Sequence, residues 1–238
     1  MNLRRTLDSP PGASNLRLRR RTHSMQRTLE PELLDSLPPN HPDALHNRRD
    51  LRLTNAIVGN DRWFVRTLPR CLQPGERALE IGAGTGELGQ RLNTRGLAVD
   101  GLDLWPRPAA WPTTRAWHVA DLRTFDDYHR YPVVFGNLIF HQFSAPELAR
   151  LGKNLQRGTR AILACEPARR RASQFLFRAL GPLLGANHVS LHDAHVSIAA
   201  GFRGDELPRA LGLAPDCWDV RLTTTVLGMQ RMIARRRT

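Results

Sequence analysis

The sequence predicts an α/β fold with a doubly wound, largely parallel sheet, and three features support this prediction. An apolar segment at residues 78–81 runs into a glycine-rich turn at 82–86, which opens a helical segment at 87–94. Residues 131–139 form an almost unbroken apolar run, as expected for a central parallel strand that is buried on both faces. Strand-like and helix-like segments alternate along the rest of the chain, which is typical of a sheet with right-handed crossovers.

The individual elements follow from periodicity and from signals at their ends. Residues 43–68 have helical spacing of apolar side chains, interrupted at Gly59-Asn60, and predict an N-terminal helical cover. A helix is predicted at 145–155, because Ser144 is a suitable N-cap and Pro146 falls in the first turn. The remaining predictions are strands at 97–102, 117–120 and 159–165, a helix at 168–184, an irregular segment at 185–207, and an antiparallel pair of strands at 218–222 and 225–233.

Composition limits the class of protein and its partners. The chain has 238 residues, enough for one well-buried α/β domain with short appendages. Its formal net charge of +13 suggests nucleic acid, but the cations are almost all arginine and concentrate near both ends, which disfavours an RNA site. Three widely spaced cysteines fit buried thiols in a reducing cytoplasm rather than disulfides or a zinc site. No apolar run approaches the length of a membrane span, although peripheral contact with a membrane stays open.

The segment from 77 to 103 carries the strongest functional signal. Gly82, Gly84 and Gly86 allow a tight turn and let a ligand approach the main chain, and the free N–H groups at the start of the next helix favour an anionic group. Asp103 follows the second strand, where a carboxylate can accept the hydroxyl protons of a ribose. The segment therefore predicts a site for a nucleotide-like cofactor.

The details of the turn separate two cofactor classes. Glu87 stands where a dinucleotide-binding fingerprint has its third glycine, and Glu80 lies two positions before the first glycine. This pattern resembles motif I of the class I S-adenosylmethionine-dependent methyltransferases. The resemblance implies a Rossmann-like, seven-stranded sheet with an antiparallel C-terminal strand pair, and S-adenosylmethionine as the cofactor. It assigns the cofactor contacts at this end of the site to Glu80, Gly82, Ala83, Gly84, Gly86, Asp103 and Leu104.

After two further predicted strands, residues stand at positions where the methyltransferase family contacts its cofactor. Asp121 and Leu122 follow the third strand, where the family holds the adenine ring. The segment 133–143 resembles the fourth-strand motif of methyltransferases of the ubiquinone- and menaquinone-biosynthesis type, which implies that Asn137 and Leu138 face the cofactor. The acid that begins the family motif is absent here, because Tyr131-Pro132 stands in its place.

Histidine is the natural candidate for the base that removes a proton from an acceptor, because its pKa lies near neutrality. His141 ends the fourth-strand motif and is the first candidate; His195 is the second, in a segment expected to form a substrate lid. A structural role for His141 remains an alternative. The histidines and the aspartate at 188–195 lack a specific ligand spacing, so no metal site is predicted.

The sequence thus predicts three regions: a disordered basic leader at 1–24, an N-terminal helical segment at 25–70, and a class I methyltransferase domain at 71–238. The expected activity is methylation of a small aromatic or lipophilic acceptor on oxygen or carbon, as in polyketide- and quinone-associated enzymes that the chain resembles. An RNA methyltransferase and a catalytically inactive cofactor-binding or scaffold domain are the alternatives, and a nicotinamide oxidoreductase is a more distant one. The sequence does not predict the oligomeric state.

Overall fold

The computed structural model describes residues 25–38 and 40–237, so the predicted leader at 1–24 lies outside the described residues. The strands are β1 (Ala78–Ile81), β2 (Val99–Asp103), β3 (Trp117–Val119), β4 (Val133–Asn137), β5 (Ala161–Pro167), β6 (Trp218–Thr224) and β7 (Met229–Arg236). The helices are α1 (Leu33–Ser36), α2 (Pro42–Val58), α3 (Asn60–Thr67), α4 (Glu87–Asn93), α5 (Ala145–Leu155), α6 (Arg171–Leu180), α7 (His188–Ala200) and α8 (Glu206–Ala210).

The seven strands form one sheet in the order β3-β2-β1-β4-β5-β7-β6. The first five strands of that order are parallel, whereas β7 runs antiparallel to both β5 and β6. This confirms the predicted doubly wound sheet with an antiparallel C-terminal pair. Because β1 lies between β2 and β4, the chain changes direction across the sheet at the carboxyl end of β1. A crevice at such a point is the usual ligand site of an open parallel sheet.

Apolar side chains from both faces of the sheet form two clusters, one on each side. The larger cluster joins the sheet to α5 and α8, and includes Phe140, Leu148 and Trp218. The second joins the other face to α3 and α4. In it Phe64 is fully buried, with its ring centroid 5.3 Å from that of Phe135. The N-terminal helices are therefore anchored directly on the sheet.

One prediction about the C-terminal half is wrong. The segment expected to be irregular at 185–207 contains the 13-residue helix α7. The side chain of Asn187 caps its first turn by accepting from the Ser190 N–H. Its buried positions include Val189, Asp193 and Val196, which recur at helical spacing. The pattern was missed because a polar residue, Asp193, occupies one of those positions.

Several boundaries also differ from the predictions. Helix α6 is shorter than the predicted 168–184, and a separate short 3₁₀ helix occupies Pro182–Leu184. Strand β7 begins at Met229, because the chain turns before it with Gly228 at φ 80°.

Cys217 is exposed rather than buried, whereas Cys71 and Cys165 are buried free thiols as expected. Within the described ranges, none of the helices has the length and apolar character needed to cross a membrane.

Candidate cofactor and acceptor site

The glycine turn follows β1 at the carboxyl edge of the sheet. Gly82, Gly84 and Gly86 all have positive φ, at 62°, 54° and 73°. A Cβ on Gly82 would lie 2.5 Å from Cγ1 of Ile139, so the turn packs too closely against the β4 side of the crevice for a side chain. Gly84 is exposed and a Cβ there would meet no atom within 4 Å, so open space remains on the outer side of the turn.

Asp103 is joined directly to this turn. Its Oδ2 accepts from the Gly84 N–H at 2.7 Å, and its Oδ1 accepts from the Trp105 N–H at 2.9 Å. A carboxylate has about four acceptor positions, so two donors leave it able to accept from a pair of ribose hydroxyls. Asp103, the predicted ribose-binding acid, therefore lies beside the turn, and Leu104 next to it is 68% exposed.

Glu80 lies beneath the turn rather than on its open side, because only 4% of the residue is exposed. A Cβ on Gly89 of α4 would lie 2.5 Å from its Oε2, which has no hydrogen-bond partner within the described residues. Burial raises the pKa of Glu80 to about 8, although the Gly89 N–H opposes that rise. Glu80, predicted as a cofactor contact, is thus buried against the first turn of α4, and its contact with a cofactor stays a prediction.

Three asparagine side chains meet where β4 ends. Nδ2 of Asn60 donates to Oδ1 of Asn137 at 2.9 Å and to Oδ1 of Asn55 at 3.1 Å. Nδ2 of Asn137 donates to the same Asn55 oxygen at 3.2 Å, and the Cys165 thiol donates to Oδ1 of Asn60 at 2.9 Å. Asn137 was predicted as a site residue, whereas Asn55 and Asn60 were not. The cluster fixes α2 and α3 to the carboxyl ends of β4 and β5.

Leu138, which directly follows Asn137, has an unusual backbone conformation. Its φ is 59°, a left-handed value that glycine adopts easily and leucine does not. A hydrogen bond from its N–H to the Cys165 carbonyl, at 2.9 Å, holds it in place. Strain of this kind is tolerated where surrounding contacts impose it, and it concentrates at functional sites. Leu138 therefore lies at the crevice together with the glycine turn and Asn137.

Asp121 and Leu122, the pair predicted to contact adenine, both have hydrogen-bond partners within the protein. Both oxygens of Asp121 accept from the guanidinium of Arg123, which also donates to Glu147 at 2.9 Å. These hydrogen bonds hold the pKa of Asp121 below its usual range. Leu122 is buried, and its carbonyl accepts from the Tyr128 hydroxyl at 2.6 Å. Asp121 is thus an ionised acceptor close to the end of β3, but it shares its oxygens with Arg123.

Helix α2 crosses above this edge of the sheet. The Arg48 guanidinium lies 4.6 Å from the centroid of the Trp105 ring, and Nη1 of Arg52 lies 3.2 Å from Oε1 of Glu87 at the start of α4. Together with Asn55, these contacts place α2 over the glycine turn and the loop after β2. The predicted helical cover therefore covers the predicted cofactor site.

His141 is buried in a short 3₁₀ helix, Phe140–Gln142, that follows β4. Its Nδ1 lies 2.6 Å from Oε2 of Glu166, and its Nε2 lies 3.4 Å from Oε1 of Glu32. Glu166 is fully buried and also accepts the backbone N–H groups of Ile139, Phe140 and His141, at 3.0, 3.0 and 3.1 Å. Glu166 therefore fixes both the ring and the chain segment that carries it.

The two carboxylates determine the charge of His141. Burial alone lowers the pKa of this imidazole, but Glu166 and Glu32 outweigh it and raise the pKa to about 9. His141 is then a cation at neutral pH, with both ring nitrogens hydrogen-bonded. In this arrangement it has no free lone pair for an acceptor's proton. The second candidate, His195, is exposed on α7, and its side chain forms no polar contact with the other described residues.

The segment at 25–37, called the strap from here on, closes over His141. Arg27 donates to the carbonyls of Ala200, His141 and Phe143, at 2.7, 2.9 and 2.8 Å. Glu32 of the strap accepts a hydrogen bond from the Ser197 hydroxyl of α7. A cavity of about 260 Å³ lies between the strap, His141 and α7. Its lining residues are Leu29, Glu30, Pro31, Glu32, Asp35, His141, Gln142, Val196, Ser197 and Ala200.

The strand order, with the last strand inserted antiparallel beside β5, defines a protein with the class I methyltransferase fold. The plantazolicin methyltransferase BpumL, solved in complex with SAH, is similar over 86% of this chain and 93% of its own, at 13% identity and a TM-score of 0.64. A structure from work on the conversion of a disulfide bond into a thioacetal group during echinomycin biosynthesis is similar over 72% of this chain and 81% of its own, at 18% identity and a TM-score of 0.52.

A third solved structure, of a possible exported protein from Bordetella parapertussis, is similar over 76% of this chain and 68% of its own, at 17% identity and a TM-score of 0.53. No family model matches the chain, and no curated protein matches it in sequence. At these identities the comparisons establish the fold, and function has to be argued from the site.

Proposed function

We propose that the protein is an S-adenosylmethionine-dependent methyltransferase that acts on a small aromatic or lipophilic acceptor through oxygen or carbon. The observation that carries this proposal is the bond between the exposed Gly84 N–H and Asp103, formed at the switch point of a sheet with the class I strand order. The similar plantazolicin enzyme was solved with SAH, which supports the same choice of cofactor.

The residues at the edge of the sheet fit this cofactor. Gly84 leaves room for close approach of a ligand to the backbone, and Asp103 retains acceptor positions for a ribose. Asp121 provides an ionised acceptor that suits an adenine amino group, and Asn137, at the end of β4, is the residue that we propose for the amino acid part. When bound, S-adenosylmethionine supplies a sulfonium methyl group for in-line displacement. The chain's own contribution is to align an acceptor with that methyl group and to exclude water, which we assign to α2 above the glycine turn and to the strap over His141.

The cavity beneath the strap supports a small acceptor. Leu29, Val196 and Ala200 give it an apolar side, and His141 lies on its inner wall. A hydroxyl or an acidic carbon must lose a proton during transfer, and His141 is the base that we propose. It takes up this role only after the contact with Glu32 is broken, because the ring is otherwise fully hydrogen-bonded and charged.

The acceptor is best sought with labelled cofactor. Purified protein is incubated with methyl-labelled S-adenosylmethionine and fractionated metabolite extracts of small lipophilic compounds, with His141→Asn as the comparison. Transfer of label to a small organic molecule by the native protein supports the proposal. Label that appears in RNA, together with strongly salt-dependent RNA binding, would support an RNA methyltransferase instead. Cofactor binding with no transfer to any fraction would favour an inactive binding domain.

We also propose that the protein works in the cytoplasm. Its free thiols at Cys71, Cys165 and Cys217 support this, since they suit a reducing compartment.

A further inference from the structure

Helix α6 and the 3₁₀ helix after it expose an unusual amount of apolar surface. None of the ten residues of α6 is buried. Phe175 is 75% exposed and Leu183 is 80% exposed, and Leu176, Leu180 and Leu184 are each 44–50% exposed. Single exposed apolar residues are common, but a group this dense on one surface indicates an interaction.

The turn between β6 and β7 adds to the same surface. Val226 is 98% exposed and Leu227 is 49% exposed. The next residue, Gly228, accepts from the Ala168 N–H at 2.8 Å, and a Cβ on it would lie 2.5 Å from the Ser173 hydroxyl of α6. The turn is thus held against the first turns of α6. We call the exposed side chains of these elements the α6 surface: Phe175, Leu176, Leu180, Leu183, Leu184, Val226 and Leu227.

Exposed arginines border the α6 surface, and the segment that contains α6 has no acidic residue. No aspartate or glutamate occurs between residues 167 and 192. Arg170, Arg171 and Arg178 are exposed there. Arg49 of α2 lies at the same end, with its Nη1 4.0 Å from the position of a Cβ on Gly185 and 3.9 Å from Oδ1 of Asp50. The surface therefore combines protruding apolar side chains with a cationic border.

We propose that the α6 surface docks on an anionic phospholipid bilayer. An amphipathic helix with large apolar side chains on one face and arginines beside them lies in the interface of such a bilayer. A second copy of the chain fits less well, because a two-fold contact of this surface with itself would bring arginines against arginines. The protein would then lie on the membrane with the carboxyl edge of β5 towards the lipid, since α6 and the β6–β7 turn both adjoin that end.

Vesicle binding tests the proposal with the full chain and without cofactor, so the outcome is independent of the proposed methyl transfer. Vesicles of equal parts phosphatidylglycerol and phosphatidylcholine are compared with phosphatidylcholine alone, by co-sedimentation at low and high salt. We expect binding to the anionic vesicles only, weakened by salt. Leu183→Ser should reduce the partition coefficient about tenfold, and Arg171→Gln about fivefold.

Matched exposed substitutions control for nonspecific effects. Val119→Ser removes an apolar side chain that is 60% exposed on β3, the strand at the other edge of the sheet, and Arg150→Gln removes an exposed cation on α5. Both controls should bind as the native protein does, and all four variants should keep the native melting temperature. Binding that is equal for all variants would overturn the proposal and assign attachment to the arginine-rich ends. A dimer that Leu183→Ser dissociates, without vesicle binding, would also overturn it and assign the surface to a second copy.

Discussion

Two carboxylates control how His141 handles a proton. Glu166 fixes Nδ1 from the end of β5, and Glu32 reaches Nε2 from the strap. Their combined effect exceeds the cost of burial, which by itself would favour the neutral ring. The ion pair with Glu166 joins the ends of β4 and β5, whereas the contact with Glu32 comes from the strap, which lies outside the sheet. The proposed base is therefore available only when the strap contact is released.

Replacing Glu32 should change the pH dependence of catalysis. A base must be unprotonated to act, so kcat/KM is expected to rise with pH through the pKa of His141. Glu32→Gln removes one carboxylate that raises this pKa, so the rising limb should move to lower pH. The measurement is a pH profile of labelled methyl transfer, with Glu30→Gln as the control, because Glu30 lines the same cavity without contacting His141. Full turnover by His141→Asn, with an unshifted profile for Glu32→Gln, would exclude the base role.

At the residue scale, the sequence predicted those parts of the site that depend on local spacing. The glycines and Asp103 belong to one continuous strand–turn–helix–strand unit, so their pattern could be recognised directly. Asn55, Asn60 and Glu32 were missed, because their partners lie far away in the chain and no local rule links them. The burial of Glu80 beneath the turn was not predicted either, since spacing along a strand does not show which groups are buried.

Among the elements, the turn between β1 and α4 has the strictest steric requirement. Gly82→Ala should destabilise the protein by about 2–5 kcal/mol, because it combines left-handed strain with a clash against Ile139. Gly75→Ala is the matched control: its φ is +83° but a Cβ there meets nothing within 4 Å, so strain alone should cost about 1–2 kcal/mol. Urea unfolding measures both free energies. Equal losses for the two variants would show that the contact between the turn and Ile139 is loose.

Strands and helices with a single apolar period were predicted well, and α7 was not. Its helical pattern depends on Asp193, which is buried because it accepts the N–H groups of Leu33 and Leu34 and an Asn47 amide N–H. Such a residue is polar in the sequence but belongs to the packed side of the helix. The same contacts fix the strap and α2 to α7. The helix that was not predicted, α7, is therefore the one that holds the strap and α2 in position.

For the whole molecule, His141 should make stability depend on pH. Its pKa rises from 6.5 in the unfolded chain to about 9 in the fold, so the native state binds the proton more tightly. The resulting stabilisation, about 3 kcal/mol, is complete below pH 6.5 and is lost as pH rises through 9. Denaturant unfolding at several pH values should show this loss for the native protein. His141→Asn should remove this part of the slope, and an unchanged slope would contradict the charged state assigned to His141.

The described residues combine one sheet, helix α2 above the glycine turn, and the strap over His141. The fold class and the antiparallel C-terminal strand pair were predicted from the sequence and are confirmed, because alternating elements constrain them strongly. The covering contacts were not predicted, since they depend on side chains that come together only in three dimensions. The proposed binding of S-adenosylmethionine depends on the glycine turn and Asp103, which belong to one continuous segment of the sequence.

Isothermal titration calorimetry with S-adenosylhomocysteine tests this claim most directly. The native protein should bind one equivalent and show no heat with NAD. Asp103→Asn should bind about tenfold to a hundredfold more weakly, because it replaces a charged acceptor of the ribose hydroxyls. Asp126→Asn, an exposed aspartate outside the crevice, should bind normally. Binding of NAD without S-adenosylhomocysteine, or native affinity in Asp103→Asn, would contradict the account.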